Sequence, residues 1–449
     1  MKVSADAPSV ADATSSLSVW LDYLMQLHAK TIDMGLARVG QVAHNLGVVE
    51  IKPGTQRVVV AGTNGKGSSV AMLSAIMQAA GYRVGCYTSP HLIRFNERAQ
   101  VNGQCLSDEE WVAAFVAVEQ ARQDISLSFF EFTTLAAIWY FHQQPLDLVI
   151  LEVGLGGRLD AVNAVDNSSC IITAIDLDHQ DYLGDNREDI GYEKAGVMRA
   201  NKLCVCSDPQ PPKRLLEQAK KQQVYLKCLG RDFSFQPREA HWRFKDLCDA
   251  SSQKSYNDVD LILPALAGDF QLQNAAGVLA WLQAQTAFDI SRSAIEAGLK
   301  AVTHPGRMQF MRLGHQDWLF DVAHNPQAVA QLARKVSQQN SQLLTKPIGV
   351  FAALADKDVQ SMIAQMWSHI DRWVLLDLSP EPRALEPSVM QRHLNDTAVI
   401  QGDELAICTI AKTASEAITM VQNLAQTRVV AFGSFVTVGA LMTELQQSG

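Results

Sequence analysis

A glycine-rich segment with one lysine and a pair of adjacent serine hydroxyls, residues 62–69, is the part of this chain best suited to chemistry. It reads GTNGKGSS, follows the β-branched run Val58–Val60, and precedes an Ala-, Met- and Leu-rich stretch that predicts a helix. A strand, a glycine loop and a helix N-terminus can cradle nucleotide phosphates, because backbone N–H groups face the anion and lysine adds a full positive charge. The segment therefore predicts an ATP site.

The loop departs from the usual phosphate-binding pattern upstream of the lysine, where Ala61 stands in place of a glycine, and directly after it. Gly67 follows Lys66, where the common motif has Ser or Thr. An ordinary tight turn would explain one or two glycines, but it would not explain three glycines, a lysine and paired hydroxyls together. We therefore keep the phosphate-binding interpretation.

Two other segments place metal-ligand residue types after a predicted strand. Glu152 ends the apolar run 148–151 and precedes three glycines, and His179 lies among three aspartates after the run 171–175. Ligands bind at the carboxyl ends of parallel strands, and Mg²⁺ prefers oxygen ligands. Glu152 is therefore predicted to hold Mg²⁺ opposite the phosphates, unless it only pairs with Arg158. His179 is either a second metal ligand or part of a solvated loop, and Lys194, on a predicted helix, would ordinarily face solvent.

Short apolar runs alternate with longer helical stretches, which predicts βαβ units and a parallel sheet. Ser107 is predicted to cap the helix 108–123, and further helices are predicted at 132–143 and 268–285. Residues 230–262 predict a small antiparallel excursion. The predicted strands are 57–61, 83–88, 147–153, 170–175 and 203–206, then 318–322, 347–352, 372–377 and 428–432.

A boundary near the Thr-His-Pro-Gly-Arg segment 303–307 divides the chain into two predicted domains. Residues 1–303 are predicted to form a parallel-sheet α/β ATPase domain with the phosphate loop. Residues 304–449 are predicted to form a smaller, Rossmann-like α/β domain. We expect a ligand cleft between the two, because such clefts are favoured at domain boundaries.

Composition excludes several classes of protein. The 449 residues are 47% hydrophobic and 19% charged, and the net charge of −9 leaves no basic excess for a general nucleic-acid surface. The eight cysteines form no CxxC pair, and no signal segment or membrane-length apolar run is visible. We expect a cytoplasmic protein with no nucleic-acid or membrane partner, and a monomer.

Taken in order, the segments GTNGKGSS, TSPHL, FNER, FFEFTTLAA, LEVGLGGRLDAVN, DLDH, EKAGV, HPGR and DVAHNP resemble the Mur-ligase-like superfamily. Within it the chain is similar to the folylpolyglutamate synthases, above all the bacterial bifunctional dihydrofolate synthase/folylpolyglutamate synthases. The resemblance runs from about residue 20 to residue 435 and is weak over 230–262. One departure is Val162, where relatives often have Thr.

The resemblance implies functional residues that composition and spacing do not. ATP contacts are implied for Asn64, Gly65, Lys66, Gly67, Ser68, Asn274, Arg307 and Asp321. Two Mg²⁺ sites are implied, one at Ser89 and Glu152 and one at Glu152 and His179. Lys194 would be carbamylated and would support the metal site, so the implied catalytic residues are Lys66, Glu152, His179 and Lys194. The pterin substrate would contact His28, Thr31, Asp33, Ser128, Phe130, Glu131, Leu159, Asp160 and Ala161, and glutamate would meet His324 and Ser434.

The implied reaction is ATP-dependent ligation of L-glutamate to dihydropteroate and to tetrahydrofolate through an acyl phosphate. Alternatives are a folylpolyglutamate synthase alone, or a cell-wall amino-acid ligase of the same superfamily. The latter usually carries a UDP-binding domain before the loop, and the preceding stretch is too short for one. A nucleotide switch or motor would leave the DVAHNP and HPGR segments unexplained.

Overall fold

The structure is a computed structural model that describes residues 11–30, 32–248, 256–343 and 345–447. It divides into two compact units. The first consists of Met1–Pro90, Asn96–Ala265 and Leu272–Val302, and the second of His91–Phe95, Leu266–Gln271 and Thr303–Gly449. The predicted ranges 1–303 and 304–449 differ from these at residue 303 and at the two short segments.

The first unit is built on an eight-stranded sheet in the order β4-β3-β2-β5-β1-β6-β7-β8. The six strands from β2 to β8 in that order are parallel, and β3 and β4 add an antiparallel hairpin at one edge. The strands are β1 Gln56–Ala61, β2 Val84–Tyr87, β3 Ala99–Val101, β4 Gln104–Cys105, β5 Leu148–Glu152, β6 Ser169–Ile172, β7 Leu203–Cys206 and β8 Tyr225–Cys228.

Ten α-helices belong to the described part of this unit, with α9 beginning in a segment of the second. They are α1 Leu17–Gln26, α2 Ala37–Asn45, α3 Lys66–Ala79, α4 Asp108–Arg122, α5 Phe129–Gln143, α6 Gln180–Leu183, α7 Arg187–Ala195, α8 Lys213–Lys221, α9 Phe270–Ala284 and α10 Arg292–Ala301. No helix in the described ranges combines the length and apolar character needed to cross a bilayer.

The central strands form where the chain supplies consecutive apolar residues, because a parallel sheet is covered on both faces. All five residues of β5 are buried, as are five of the six in β1. Helix α5 begins at Phe129, three residues before its predicted start. Ser128 accepts from the Glu131 N–H and the Glu131 carboxylate accepts from the Ser128 N–H, so a capping box fixes that boundary.

The predicted antiparallel excursion is confirmed as a three-stranded sheet in the order β11-β10-β9. Its strands are β9 Phe233–Pro237, β10 His241–Asp246 and β11 Val259–Ile262. Trp242 and Phe244 alternate inward on β10 and are fully buried. This period of two, with polar residues between, is the pattern of a sheet with one face on a core.

The second unit contains a six-stranded sheet in the order β12-β13-β17-β14-β15-β16, with β12 antiparallel and the others parallel. The predicted parallel fold is therefore confirmed in this unit too. Its strands are β12 Gln309–Leu313, β13 Gln316–Asp321, β14 Ile348–Phe351, β15 Arg372–Leu376, β16 Cys408–Ala411 and β17 Arg428–Phe432. Its helices are α11 Pro326–Leu343, α12 Val359–Met366, α13 Pro387–Gln401, α14 Ala414–Gln422 and α15 Phe435–Gln447.

A half-buried histidine, His304, whose Nε2 atom is fully buried, lies close to the start of the second unit's main segment. Among the described residues, His304 Nε2 has no hydrogen-bond partner. Burial, reinforced by the positive charge of Arg307, lowers the pKa of His304 to about 3 from an ordinary 6.5. The imidazole is therefore neutral in the folded unit at physiological pH.

Acid should destabilise the second unit through His304. Between about pH 6.5 and about pH 3, the unfolded chain binds a proton at this residue that the folded unit does not. The free energy of unfolding should fall as the pH falls through that window, by up to about 1.4 kcal/mol per pH unit from this group. Chemical denaturation near neutral pH and near pH 5 should show a smaller loss in His304→Gln than in the wild type. The exposed His315→Gln serves as the control, and an unchanged acid dependence in His304→Gln would contradict the assignment.

Candidate active site

The glycine loop lies between β1 and α3 at the carboxyl edge of the first sheet. Gly65, the residue before α3, has φ +94°, a left-handed conformation that glycine adopts without strain. A Cβ at this position would also overlap the side-chain oxygen of Asn274 on α9. The loop and Asn274, predicted separately as ATP contacts, therefore lie against each other.

The loop is held by the neighbouring strand β6 and the residues after it. The Thr63 N–H donates to the Ala174 carbonyl at 2.7 Å, and the Thr63 hydroxyl donates to the Asp176 carbonyl at 2.9 Å. The Thr173 hydroxyl donates to the Asn64 carbonyl at 2.8 Å. These bonds fix the loop's path before any nucleotide binds, as a preorganised phosphate site requires.

Two lysines point at one carbonyl oxygen of this loop. Lys66 Nζ donates to the Gly62 carbonyl at 3.1 Å and to the Thr63 carbonyl at 3.2 Å. Lys194 Nζ donates to the same Gly62 carbonyl at 2.9 Å. Lys194 is 3% exposed, so its predicted solvent-facing position, inferred from its helix alone, is wrong.

The surroundings of Lys194 lower the pKa of its side-chain amine. Burial is the main cause and the positive charge of Lys66 is the next, and together they lower the pKa of Lys194 to about 7. Asp178 and Asp160 act in the opposite direction. A lysine that is largely neutral near physiological pH can react as an amine, which an ordinary surface lysine cannot.

The strand ends bring the predicted metal ligands to the same edge. In the sheet, β2 and β1 flank β5, and Val60 lies opposite Glu152 in register. The Glu152 carboxylate is buried and accepts from the Ser89 N–H at 3.2 Å. Arg158 pairs with Glu193 at 2.8 Å, so the alternative pairing of Glu152 with Arg158 is wrong.

His179 follows β6 at the same edge. Its backbone is left-handed, with φ +50°, and its Nε2 lies 4.0 Å from an oxygen of Asp178. Within the described ranges, no three His, Cys, Asp or Glu side chains are grouped closely enough to hold an ion by themselves. The donors present, which are carboxylate, hydroxyl and imidazole, suit Mg²⁺ only if phosphate or water oxygens complete its shell, as is common in nucleotide sites. The buried hydroxyl of Ser69, which has no partner among the described residues, is a further oxygen donor at the start of α3.

The glycine-rich segment after β5 packs on the end of α7. The Arg158 N–H donates to the Glu193 carbonyl at 2.8 Å, and Asn163 Nδ2 donates to the Arg158 and Gly196 carbonyls at 3.0 Å each. The Asp160 side chain accepts from the Leu155 and Val162 N–H groups. Burial raises the pKa of Asp160 to about 6.

Four of the nine predicted pterin residues, His28, Asp33, Ser128 and Glu131, belong to one hydrogen-bonded network. His28 bonds Asp33 at 3.1 Å and the Ser126 hydroxyl at 2.6 Å. Arg38 joins Asp33 at 2.7 Å to the buried Glu131 at 3.0 Å. The network thus ends at the capping box of α5.

The remaining predicted pterin residues fall into three groups. The Phe130 ring lies against Gly154, because a Cβ added to that glycine would be 2.5 Å from the ring. The centroid of the Phe130 ring is 6.2 Å from that of the Tyr87 ring. Leu159 is half-buried and Ala161 is buried beside Asp160. Thr31 lies outside the described residues.

In the second unit, Asp321 ends β13 and fastens two turns. Its carboxylate accepts from the Met308 N–H and from the Ala323 N–H, both at 2.8 Å. Burial raises the pKa of Asp321 while Arg307 opposes that rise. The His324 Nδ1 atom lies 2.9 Å from the Val322 carbonyl, and since a carbonyl only accepts, Nδ1 carries the proton.

Ser434 follows β17, the strand beside β13, and Asp321 lies opposite Phe432 in register. The Ser434 hydroxyl is buried and accepts from the Thr437 N–H at 2.9 Å, which caps α15. The predicted residues of this unit thus lie at the carboxyl ends of its parallel strands or in the turn that precedes β12. They are Arg307, Asp321, His324 and Ser434.

Sequence reasoning missed four residues that complete these arrangements. Arg38 and Thr173 lie outside every motif, and Asp178 is one of the three aspartates around His179 with no role of its own predicted. Phe435 directly follows Ser434, but nothing in the sequence indicates its contacts with Arg307 and His324.

Comparison with known proteins agrees with this geometry. Residues 60–282 match the Mur ligase middle domain, and residues 306–435 match the Mur ligase glutamate ligase domain. The dihydrofolate synthase/folylpolyglutamate synthase of Escherichia coli K12 is 39% identical over 432 residues, which is 96% of either chain.

Solved structures extend the similarity to the fold. Escherichia coli FolC in complex with DHPP and ADP has a TM-score of 0.87 at 37% identity, covering 98% of this chain and 100% of that chain. A bifunctional folylpolyglutamate synthase/dihydrofolate synthase with Mn, AMPPNP and L-glutamate bound has a TM-score of 0.85 at 36% identity and the same coverage. The resemblance expected from the sequence motifs is confirmed, and the chain belongs to the Mur ligase family, among the dihydrofolate synthases/folylpolyglutamate synthases.

Proposed function

We propose that this protein is an ATP-dependent ligase that adds L-glutamate to dihydropteroate, making dihydrofolate, and to tetrahydrofolate, making folylpolyglutamates. The observation that carries the proposal is the near full-length similarity to the Escherichia coli enzyme of that name. The loop 62–69 and the acidic groups that follow neighbouring strands are the parts that this reaction needs.

The first step is phosphoryl transfer. A carboxylate oxygen of the substrate attacks the γ-phosphorus of ATP, an O–P bond forms, and the bond to the bridging oxygen breaks to release ADP. The residues 64–68 would wrap the phosphates, and Lys66 would turn from the Gly62 carbonyl toward the negative charge that spreads over them. Such reactions depend on positioning and charge neutralisation rather than on a protein nucleophile.

Three residues of the first unit would hold divalent metal. Ser89 and Glu152 would take one ion and His179 with Glu152 a second, and the metal supplies charge neutralisation to the phosphates when bound. Glu152 is held by the Ser89 N–H, so its carboxylate is oriented before binding. Lys194, if carbamylated, would present a carboxylate-like group beside Gly62.

The second step forms the amide. The amine nitrogen of glutamate attacks the acyl-phosphate carbon, a C–N bond forms, and the C–O bond to phosphate breaks while the nitrogen loses a proton. We assign His324 and Ser434 to glutamate and Arg307 and Asp321 to ATP. Asp321 would act by fixing the turns that carry Arg307 and His324, since both its oxygens bond backbone N–H groups.

The pterin would bind near the α5 N-terminus and residues 159–161. The His28–Asp33–Arg38–Glu131 network gives this region fixed polar groups, and Phe130 offers an aromatic face. Small-molecule substrates are thus the expected partners. A cytoplasmic location and a monomeric state stay predictions from the sequence.

ADP release should depend on glutamate together with either dihydropteroate or tetrahydrofolate. A coupled ADP assay with each acceptor, and with a UDP-muramyl precursor, separates the candidate functions. Activity with tetrahydrofolate alone would indicate a folylpolyglutamate synthase without the first activity. Glutamate-independent hydrolysis, or activity confined to the muramyl precursor, would contradict the proposal.

Lys66→Ala should abolish ligation without unfolding the protein, because the loop keeps its bonds to Ala174 and Asp176. We expect kcat to fall by about a hundredfold to a thousandfold, the scale for losing one transition-state charge contact. Lys220→Ala, on the exposed face of α8, is the matched control and should be fully active. A folded Lys66→Ala enzyme with near-normal turnover would refute the role of this loop.

Lys194 should carry one added CO₂. Native mass spectrometry in bicarbonate buffer should show the corresponding increase in intact mass in the wild type and in Lys66→Ala, but not in Lys194→Ala. Because the modified group would end in an anion, Lys194→Glu should retain more ligase activity than Lys194→Met. Equal activity in these two variants, or an unmodified wild type, would count against carbamylation.

A further inference from the structure

The ring of Phe435 contacts two residues that we assign to different substrates. The guanidinium carbon of Arg307 lies 5.0 Å from the ring centroid. The imidazole centroid of His324 lies 5.8 Å from it, with 50° between the planes. Arg307 is assigned to ATP and His324 to glutamate, so one side chain contacts a residue from each half of the reaction.

The backbone that carries this ring is firmly held. Phe435 is the first residue of α15 and follows the turn at Gly433. The Gly433 N–H donates to the Ala323 carbonyl at 3.0 Å, and its φ of +116° suits glycine. A Cβ on Gly433 would overlap the Ala352 carbonyl, so the turn also lies tightly against the chain that follows β14. The backbone that carries the ring is therefore held by the segments that follow β13 and β14.

Phe435 packs against the core of its unit from the margin and does not lie inside it. Its side chain is half-buried, whereas Phe432 and Phe351, which pack 4.9 Å apart, are fully buried. A half-buried aromatic ring under a guanidinium group at the carboxyl edge of a parallel sheet is placed to orient ligand-binding side chains.

Elementary energetics say what such a ring contributes. A cation above an aromatic face is attracted by the ring's quadrupole. Arginine also loses rotamer freedom when it grips a phosphate, and a ring that already restrains the side chain reduces that loss. The same ring limits the rotation of His324, whose Nδ1 is fixed to the Val322 carbonyl.

We infer that Phe435 is a positioning residue that orients Arg307 for ATP and His324 for glutamate through one shared aromatic ring. This inference rests on the proposed function. It predicts that removal of the aromatic face weakens the use of these two substrates and spares the pterin substrate.

The test compares Phe435→Leu, which keeps an apolar side chain, with Phe435→Tyr, which keeps the aromatic face. In Phe435→Leu, kcat/KM for ATP and for glutamate should fall by between about twofold and thirtyfold, the range that a cation–π contact supports. The KM for dihydropteroate and the thermal midpoint should stay at their wild-type values. Phe435→Tyr should keep kcat/KM for ATP and kcat/KM for glutamate close to the wild-type values.

The chain offers a matched control in the same unit. Phe310 on β12 is an exposed phenylalanine with Lys335 Nζ 6.0 Å above its ring. Phe310→Leu removes a similar cation–aromatic contact from an edge strand that carries none of the assigned residues. Its kinetic constants should match the wild type.

A double-mutant cycle adds an independent readout. Phe435→Leu combined with Arg307→Met should cost less in kcat/KM for ATP than the product of the single losses, because both remove the same contact.

Strictly multiplicative losses, wild-type kinetics in Phe435→Leu, or equal defects in Phe435→Leu and Phe435→Tyr would each overturn the inference. A lower thermal midpoint with all three substrates affected equally would show a purely structural role and overturn it too. If the wild type itself shows no glutamate-dependent ADP release, the proposed function fails; if it ligates normally and Phe435→Leu does also, only this inference fails.

Discussion

Two lysine side-chain nitrogens converge on the single carbonyl oxygen of Gly62, and the charge of the candidate site depends on that convergence. Lys66 and Lys194 lie 3.1 Å and 2.9 Å from it, and like charges this close repel. The repulsion is part of what lowers the pKa of Lys194. A bound polyphosphate would relieve it, as would conversion of one amine to an anion, so the unliganded site is electrostatically prepared for negative charge.

The second unit meets a similar requirement with one carboxylate. Asp321 accepts N–H groups from the turn after Arg307 and from the turn before His324, so a single buried side chain sets the relation between two short segments. Gly433 adds a third segment through its bond to Ala323. Each unit therefore uses the carboxyl ends of parallel strands as a rigid frame and places its polar residues on short turns beyond it.

Much of the fold could be predicted from the sequence because the local residue patterns agree with the elements that form. Central strands such as β1 and β5 are nearly all apolar, and the loop before α3 has the composition that phosphate binding needs. The edge strands β12 and β16 were missed because they are only partly buried and their sequences lack a continuous apolar run. The segment 408–411, for example, alternates weakly and lies at the margin of its sheet.

The burial of Lys194 could not be deduced from its own helix, which is mostly polar. It arises from the distant segment 154–163: a Cβ on Gly157 would lie 3.1 Å from the Cα of Lys194, so the absence of a side chain lets that segment close over the helix. The Arg38 bridge between Asp33 and Glu131 likewise joins residues far apart in sequence. Such contacts depend on tertiary packing, which a single sequence does not reveal.

The first turn of α5 does two jobs at once. Ser128 and Glu131 start the helix, and Glu131 also anchors Arg38 and, through it, Asp33. Any replacement at either capping position would disturb the helix start together with the polar lining, whereas Phe130 between them takes no part in the cap. Redesign of the proposed pterin site would therefore have more latitude at Phe130 than at Ser128 or Glu131.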